Sequence, residues 1–383
     1  MQTDDRKLAV LQHPMARGCH TCFFRELCGG LDGFDADLGC LGSCGSGCAD
    51  KQRSSGRQCD WTCPSRPDFW MRWAQVGWPI SGEVNLRSFE PSLLPQYMPL
   101  IGHGGKRRSH LRQSTVAVSM FRMLRWYERT GQMRPNVRSG SHLRTSLRLE
   151  PESKFFLVSV AKDDKLETFW SRHKKDNIAK RLRELDIIGI TVPNFSFFDD
   201  APRIHTLWNR WRMLRVAEHL SEAGIAVVPH LNALEPADWD FWSGFLRDHP
   251  HLTCVAKEFQ TGNSKFKHAR QAIDELQRLE QRLGRSLHPV LIGAGFVLGE
   301  IKSALERFTL IDSCPFMQTV HRRELIVDEK GARKWRLVRT PPGTFLDAKL
   351  ERNVEAYVSW VARTKPKKFR VASQLMLRRR QQP

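Results

Sequence analysis

Polar residues that could carry chemistry follow a series of short apolar runs along the chain. The residues in question are Asn194, His230, Asn232, Glu258, Gln260, Gly293, Gly295 and Asp312. The carboxylates and the imidazole are suited to proton transfer and to stabilising positive charge, and the carboxamides are suited to reading a base edge or sugar hydroxyls. Any one of them could instead cap a helix or close a turn, which is the preferred interpretation for Asp163, Asp199 and Asp200. Their recurrence after successive runs favours one shared site.

The elements that must position these residues alternate between short strands and amphipathic helices, which is typical of parallel βαβ units. Eight runs are predicted as strands: Tyr97 to Ile101, Thr115 to Val118, Phe155 to Val160, Ile187 to Val192, Ile225 to Pro229, Leu252 to Ala256, Pro289 to Ile292 and Phe308 to Ile311. The helical stretches include Asn177 to Leu185, Leu207 to Ala223 and Phe266 to Leu283. Eight such units predict an α/β fold with a (β/α)8 TIM-type barrel, although an open doubly wound sheet gives similar local signals. In a barrel the polar residues would meet at the carboxyl ends of the strands.

The beginning of the chain is rich in cysteine. Eight of the ten cysteines lie within the first 63 residues: Cys19, Cys22, Cys28, Cys40, Cys44, Cys48, Cys59 and Cys63. In a reducing compartment this density predicts a metal-binding module with a structural role, holding zinc or an iron–sulfur cluster, with free thiols as the alternative. Only Cys19 and Cys22 have CxxC spacing, so the choice of metal stays open. No organic cofactor is expected.

The charge of the chain points to a polyanionic partner. The formal net charge is +20, and the stretch from Ile101 to Arg148 holds eleven basic residues against the single acid Glu128. Within it, Lys106, Arg107, Arg108 and Arg112 are the predicted nucleic-acid-binding residues. DNA is the expected partner, either as a duplex with a flipped base or as a single strand, with tRNA as the alternative. Eight more bases follow from Arg363 onward without an acid, although such a tail is as readily a solvated extension.

Three divisions of the chain are predicted: a cysteine-rich module over residues 1–75, a barrel over 96–320, and a C-terminal hairpin, helix and basic tail over 321–383. No run reaches the roughly 18 apolar residues that a membrane span needs, and the N-terminus lacks the apolar run of a signal peptide. A cytoplasmic protein without an obligate protein partner is therefore expected.

One segment resembles a known family. The stretch LIGAGFVLGEIKSALERFTLIDSC is similar to the last βαβ unit of tRNA-guanine transglycosylases, in which a GxG turn precedes a helix and a strand with the nucleophilic aspartate. The resemblance implies that Asp312 is the nucleophile. In PLIGHGGKRR, Gly104 and Gly105 fit the family, whereas Gly102 and His103 replace its acid and the neighbouring residue.

Other positions depart from that family. The segments VAKEFQTGN and VVPHLNA stand where the family binds its base, and after Asp312 only Cys314 remains of the family's zinc motif. A base other than guanine is therefore expected, as in the DNA-directed relatives that modify or excise bases in phage DNA and anti-phage defence. The prediction is a DNA glycosylase acting on a flipped, modified nucleotide, with His103, His230 or a protonated Glu258 supplying a proton to the departing base. Base exchange on tRNA or DNA, and a non-catalytic DNA-binding protein of replication or regulation, are the alternatives.

Overall fold

The computed structural model of the protein describes residues 61–62, 68–77, 84–198, 201, 203–329 and 331–367. The eight cysteines predicted to bind metal, and the basic residues beyond Lys367, lie outside the described residues. None of the helices among the described residues is both long and apolar enough to cross a membrane.

The described residues form twelve strands. They are β1 (Tyr97–Ile101), β2 (Thr115–Ser119), β3 (Leu124–Tyr127), β4 (Gln132–Pro135), β5 (Lys154–Val158), β6 (Ile187–Thr191), β7 (Val227–Val228), β8 (Cys254–Glu258), β9 (His288–Ile292), β10 (Thr309–Asp312), β11 (Arg323–Val327) and β12 (Arg333–Leu337). Each of the eight runs predicted as strands overlaps one of these elements.

Eleven helices accompany the strands in the described part of the chain. They are α1 (Phe69–Gln75), α2 (Met120–Met123), α3 (Gly140–Leu147), α4 (Asp163–Arg172), α5 (Ile178–Arg183), α6 (Arg203–Glu222), α7 (Pro236–Asp248), α8 (Phe266–Leu283), α9 (Leu298–Ala304), α10 (Cys314–Val320) and α11 (Asp347–Arg363). The helix predicted from Phe266 to Leu283 is confirmed at both ends, and the other two predicted helices differ from the observed bounds by four residues or fewer.

The strand order distinguishes a barrel from an open sheet. Eight strands form one sheet in the order β7-β6-β5-β2-β1-β10-β9-β8. The first strand, β1, pairs in parallel with both β2 and the last strand of the series, β10. An open doubly wound sheet does not bring its first strand beside its last in this sequential order, whereas a (β/α)8 barrel requires it. The order is therefore that of a TIM-like barrel, with the hydrogen-bonded series ending at β7 and β8.

An insertion between β2 and β5 was not predicted. It contains the antiparallel hairpin of β3 and β4 and the helix α3. Arg125 and Arg134 lie opposite each other in this hairpin, and the Arg134 guanidinium lies 4.2 Å from the centre of the Tyr127 ring. Part of the basic stretch noted in the sequence thus belongs to a hairpin that interrupts the βα alternation.

The chain divides into two compact units. The first takes Met1–Phe89, Ser119–Gly140 and Leu157–Leu252, and the second takes Glu90–Val118, Ser141–Phe156 and Thr253–Pro383. In the first unit α6 is buried over fifteen of its residues, including Arg203 and Arg210, whose guanidinium groups both pair with the buried Asp238 carboxylate at 2.6 Å. A helix buried on every side is central to its unit.

The second unit contains the parallel series β8-β9-β10-β1-β2 together with α8 to α11 and the hairpin of β11 and β12. The five residues of β8 and the five of β9 are all buried, as expected for parallel strands covered on both faces. The register places Pro99 of β1 opposite Asp312 of β10. β10 pairs with β1 on one side and with β9 on the other, and Asp312 is its last residue.

We expect Gly189→Ala to destabilise the first unit. An added Cβ on Gly189 of β6 would lie 2.3 Å from the Phe89 ring, and Phe89 is only 2% exposed. Overpacking of this kind lowers the free energy of unfolding by about 1–3 kcal/mol. Denaturant melts of Gly189→Ala, Phe89→Leu and the double variant test it: the cost of the double variant should be smaller than the sum of the two single costs, and strict additivity would contradict the contact.

Candidate active site

Asp312 is held at the carboxyl end of β10 by hydrogen bonds to both of its carboxylate oxygens. The Tyr357 hydroxyl donates to Oδ2 at 2.7 Å, and the backbone N–H of Cys314 donates to Oδ1 at 2.7 Å. The Tyr97 hydroxyl donates to the Asp312 main-chain oxygen at 3.3 Å. Asp312 itself is half-buried. The carboxylate is thus fixed in orientation while part of the residue faces solvent.

The donor from Tyr357 is itself oriented by an arginine. Arg333 of β12 donates from Nη1 to the Tyr357 hydroxyl oxygen at 2.6 Å and from Nη2 to the Gly295 carbonyl at 3.3 Å. The Tyr357 hydroxyl oxygen accepts a hydrogen bond from the guanidinium. The hydroxyl therefore donates its own proton to Asp312. The result is a chain of hydrogen bonds from Arg333 through Tyr357 to the carboxylate.

Gly295 is required by the close approach of these three side chains. A Cβ at this position would lie 2.5 Å from the Tyr357 hydroxyl, 2.9 Å from Asp312 Oδ2 and 3.3 Å from Arg333 Nη1. Any larger residue would separate the carboxylate from its donor. The glycine noted in the sequence therefore lies at the candidate site, where it leaves room for the Asp312–Tyr357–Arg333 chain.

The tyrosines beside Asp312 stay protonated over the ordinary pH range. Burial, followed by the charge of Asp312, holds the pKa of Tyr357 well above its ordinary value. Burial and then the neighbouring Tyr357 and Asp312 raise the pKa of Tyr97 in the same way. Burial and Asp312 also raise the pKa of the Cys314 thiol to about 11. The Tyr357 hydroxyl therefore acts as a donor to the carboxylate and the Tyr97 hydroxyl as a donor to the Asp312 main-chain oxygen, and Cys314 is not a thiolate nucleophile at neutral pH.

A second predicted group lies on the turns after β8 and β9. Gly293 has a positive φ of 76°, and a Cβ there would lie 2.6 Å from the Gln260 side chain. The buried Glu258 carboxylate accepts hydrogen bonds from the Gln260 N–H and from the Thr261 hydroxyl, the latter at 3.0 Å. The Glu258 carboxylate thus accepts hydrogen bonds from the two residues of the turn that follows it. This argues against its predicted role as a proton donor. Gln260 is exposed.

His103 follows β1 and is exposed, in contrast to the other predicted histidine. Its ring centre lies 5.0 Å from that of Phe316 on α10, the helix that begins two residues after Asp312. His103 Nδ1 accepts a hydrogen bond from the Gly105 N–H at 3.1 Å. In the neutral ring the proton then lies on Nε2, which leaves Nε2 as a donor.

The predicted phosphate-binding residues divide into exposed and buried ones. Lys106, Arg108 and Arg112 are exposed. Arg107 is only 5% exposed, and its guanidinium donates to the carbonyl oxygens of His103, Leu147 and Arg148. The burial of Arg107 argues against its predicted role in binding nucleic acid, because its donors are used inside the protein.

Two acids of α11 hold the backbone of the basic loop, which is defined here as residues 103–112. The Asp347 carboxylate accepts from the N–H groups of Arg108 and Ser109 at 2.9 Å, and Glu351 accepts from the Arg112 N–H at 3.4 Å. The Arg108 guanidinium stacks 3.9 Å from the centre of the Phe345 ring. The acids bind the backbone of the loop, and the side chains of Lys106, Arg108 and Arg112 stay exposed.

The remaining predicted residues belong to the first unit. Asn232 donates from Nδ2 to the Asn194 side-chain oxygen at 2.6 Å and to the Phe195 carbonyl at 2.9 Å, so the two predicted carboxamides do lie together. Both are half-buried, at the ends of β6 and β7. His230 is 0% exposed, which argues against its predicted role as a proton donor to a substrate.

Tyr357, Arg333 and Tyr97 were not predicted from the sequence. Tyr357 lies 45 residues after Asp312, so no local pattern connects the two. One signal was present: the chain has only three tyrosines, and two of them contact Asp312. Among the described residues, no group of three or more His, Cys, Asp or Glu side chains is arranged to hold a metal ion.

Part of the chain matches the model of a known protein family. Residues 148–273 match the model of a protein family described as a domain of unknown function, DUF4417. No curated protein matches the chain. The matched segment includes Asn194, Asn232 and Glu258, whereas Asp312 and the side chains that hold it lie outside the match.

We expect Tyr357→Phe to lower the free energy of unfolding by about 1.5–3 kcal/mol, the range for a hydrogen bond to a charged group. The ring contacts with Tyr97 would remain, so the loss measures the hydroxyl alone. Denaturant melts of wild type and variant measure it, with Tyr127→Phe in the first unit as the matched control. An unchanged melting profile for Tyr357→Phe would show that the carboxylate does not depend on this donor.

We expect Arg107→Met to be strongly destabilising and Arg112→Met to be nearly neutral. The first substitution removes the donors of buried carbonyl oxygens, each of which costs about 1–3 kcal/mol when left without a partner. The second removes an exposed charge with a similar change in side-chain volume. Thermal melts compare them, and equal melting temperatures for the two variants would contradict a structural role for Arg107.

Proposed function

We propose that the protein cleaves the N-glycosidic bond between a base and its sugar in nucleic acid, with Asp312 as the carboxylate that acts at the sugar. The observation that carries the proposal is the fixed Asp312 carboxylate at the carboxyl end of β10, held by Tyr357 and the Cys314 N–H. The carboxyl ends of the strands are where enzymes with this barrel order place their chemistry.

The chemistry follows from the charge that the reaction develops. As the bond from C1′ to the base nitrogen breaks, its electron pair leaves with the base and positive charge forms on the sugar. A carboxylate beside C1′ stabilises that charge or forms a temporary bond to it. Water then adds its oxygen to C1′ and loses a proton, which gives an abasic sugar and the free base. If a second base adds instead of water, the outcome is base exchange.

The departing base needs a hydrogen-bond donor until it takes up the proton that water releases, and His103 is best placed to provide that hydrogen bond. The Nε2 of His103 is the donor nitrogen of the neutral ring, because Nδ1 accepts from Gly105. The side chain is exposed and follows the strand that pairs with β10, since Pro99 of β1 lies opposite Asp312. Among the three residues predicted from the sequence to supply a proton or a hydrogen bond to the base, His103 is therefore the one that this proposal retains.

Nucleic acid is the proposed partner because of the basic loop beside β1. Lys106, Arg108 and Arg112 present exposed charges on a backbone that α11 holds in place, which suits phosphate binding without reorganisation. A base within a duplex would have to be flipped out to reach a carboxylate at the strand end. DNA is the proposed substrate, and zinc or an iron–sulfur cluster at the N-terminal cysteines is proposed as a structural component.

The test is incubation of wild type and Asp312→Asn with genomic DNA from ordinary cells and from phages with modified bases, scoring abasic sites and released bases. We expect both products with wild type and at least a hundredfold less with the variant, since loss of one preorganised electrostatic group costs about that much. Asp164→Asn, an exposed acid in the first turn of α4, is the matched control and should retain activity.

Three outcomes of this experiment differ in meaning. Release of base by the Asp312→Asn variant at the wild-type rate would remove Asp312 from the chemistry. Incorporation of a labelled free base without abasic sites would assign the same site to base exchange. Binding of DNA by folded wild type with neither product on any DNA or tRNA would overturn the proposal in favour of a binding protein.

A further inference from the structure

The hairpin of β11 and β12 presents a basic face that the proposed chemistry does not use. Its two strands pair over five residue pairs, from Arg323 opposite Leu337 to Val327 opposite Arg333. Side chains alternate between the two faces of such a ribbon. Lys334 and Arg336 therefore share one face, and Arg333 belongs to the other.

One face of the hairpin is attached to the candidate active site. Arg333 donates to the Tyr357 hydroxyl and to the Gly295 carbonyl, and its guanidinium lies 4.0 Å from the centre of the Trp360 ring. Along the β11 edge, Asn353 of α11 accepts from the Leu325 N–H at 2.9 Å and donates to the Arg323 carbonyl at 2.9 Å. The hairpin is thus fixed on α11 rather than loosely attached.

The other face carries cations that are not paired within the described chain. Lys334 and Arg336 are exposed, and neither forms a salt bridge or side-chain hydrogen bond with another described residue. Glu324 of β11 lies opposite Arg336 in the hairpin. Its carboxylate already forms salt bridges with Lys349 at 2.8 Å and with Arg352 at 2.9 Å. The positive charge of this face is therefore available to an external anion.

We propose that the β11–β12 hairpin binds the phosphate backbone of double-stranded DNA, with Lys334 and Arg336 as its contacts. A two-stranded ribbon is of a size that the major groove admits. Lys334 and Arg336 are two residues apart, or about 6.6 Å along the strand. Duplex DNA carries one negative charge per about 1.7 Å of its axis, so both side chains can meet phosphates at once.

The character of the hairpin favours a duplex over a single strand. Proteins that bind single strands stack bases on exposed aromatic side chains. In the described part of the hairpin the one aromatic residue is Trp335, which is half-buried, and the most exposed apolar residue is Leu337, at 70%. The inference rests on the proposed function only in taking nucleic acid as the partner.

The experiment measures binding of the full-length protein to a fluorescein-labelled 20-base-pair duplex by anisotropy over a series of salt concentrations. For Lys334→Gln/Arg336→Gln we expect the slope of log K against log salt to become shallower by about 1.8, and affinity at 0.15 M salt to fall roughly tenfold or more, because two phosphate contacts are lost. Binding to the matched single strand should change by less than twofold.

Lys175→Gln/Lys180→Gln is the control with the same change of charge. Both lysines are exposed: Lys175 lies in the turn before α5 and Lys180 lies within α5. Equal salt slopes for the hairpin variant and wild type, with wild type binding DNA, would overturn this inference alone. An equal loss on duplex and single strand would overturn the assignment to duplex, and no binding of any nucleic acid by folded wild type would overturn the proposed function as well.

Discussion

The hydrogen bond from Tyr357 to Asp312 is the constraint on which the candidate site depends. It joins the end of β10 to α11, and both groups need it: a buried phenol without a partner is costly, and a half-buried carboxylate is stabilised by each donor it gains. The backbone of Gly295 lies against the bond, so the turn after β9 is limited to a residue without a Cβ. Arg333 of β12 donates to the Tyr357 hydroxyl and brings a fourth segment of the chain to this hydrogen bond. Four stretches that are far apart in sequence are thereby fixed within one hydrogen-bonded group.

The helix α11 extends this constraint to the basic loop and to the β11–β12 hairpin. Its first turns hold the basic loop through Asp347 and Glu351, its middle holds the edge of β11 through Asn353, and Tyr357 follows one turn later. From Asp347 to Tyr357 the helix rises about 15 Å. Carboxylate, basic loop and hairpin are therefore kept at fixed separations by one rigid element. Precise placement of a substrate relative to a carboxylate is worth several kcal/mol in catalysis, and a rigid helix supplies it better than flexible loops would.

The sequence predicted the barrel strands because each is a short apolar run with a polar or glycine residue at its end. It missed β3 and β4, whose sequences LRWY and QMRP lack the alternation of a half-buried strand. The sequence could not show that Arg107 is buried, because the burial of a charged residue is decided by the carbonyl groups that surround it in the fold. Asp312 and Gly295 were predicted because both follow predicted strands and lie in one short segment that resembles a known family, whereas Tyr357 and Arg333 reach them only through tertiary structure.

The way in which Asp312 is held bears on how a carboxylate would act there. Each of its oxygens accepts a hydrogen bond, one from a phenol and one from a backbone N–H two residues on. Donors of this kind disperse the negative charge, and an oxygen that attacked C1′ would have to weaken one of them. A carboxylate that stays in place and stabilises the positive sugar loses neither bond and needs no reorganisation, which is the larger of the two contributions in preorganised sites. The geometry therefore favours electrostatic stabilisation over covalent attack within the proposed reaction.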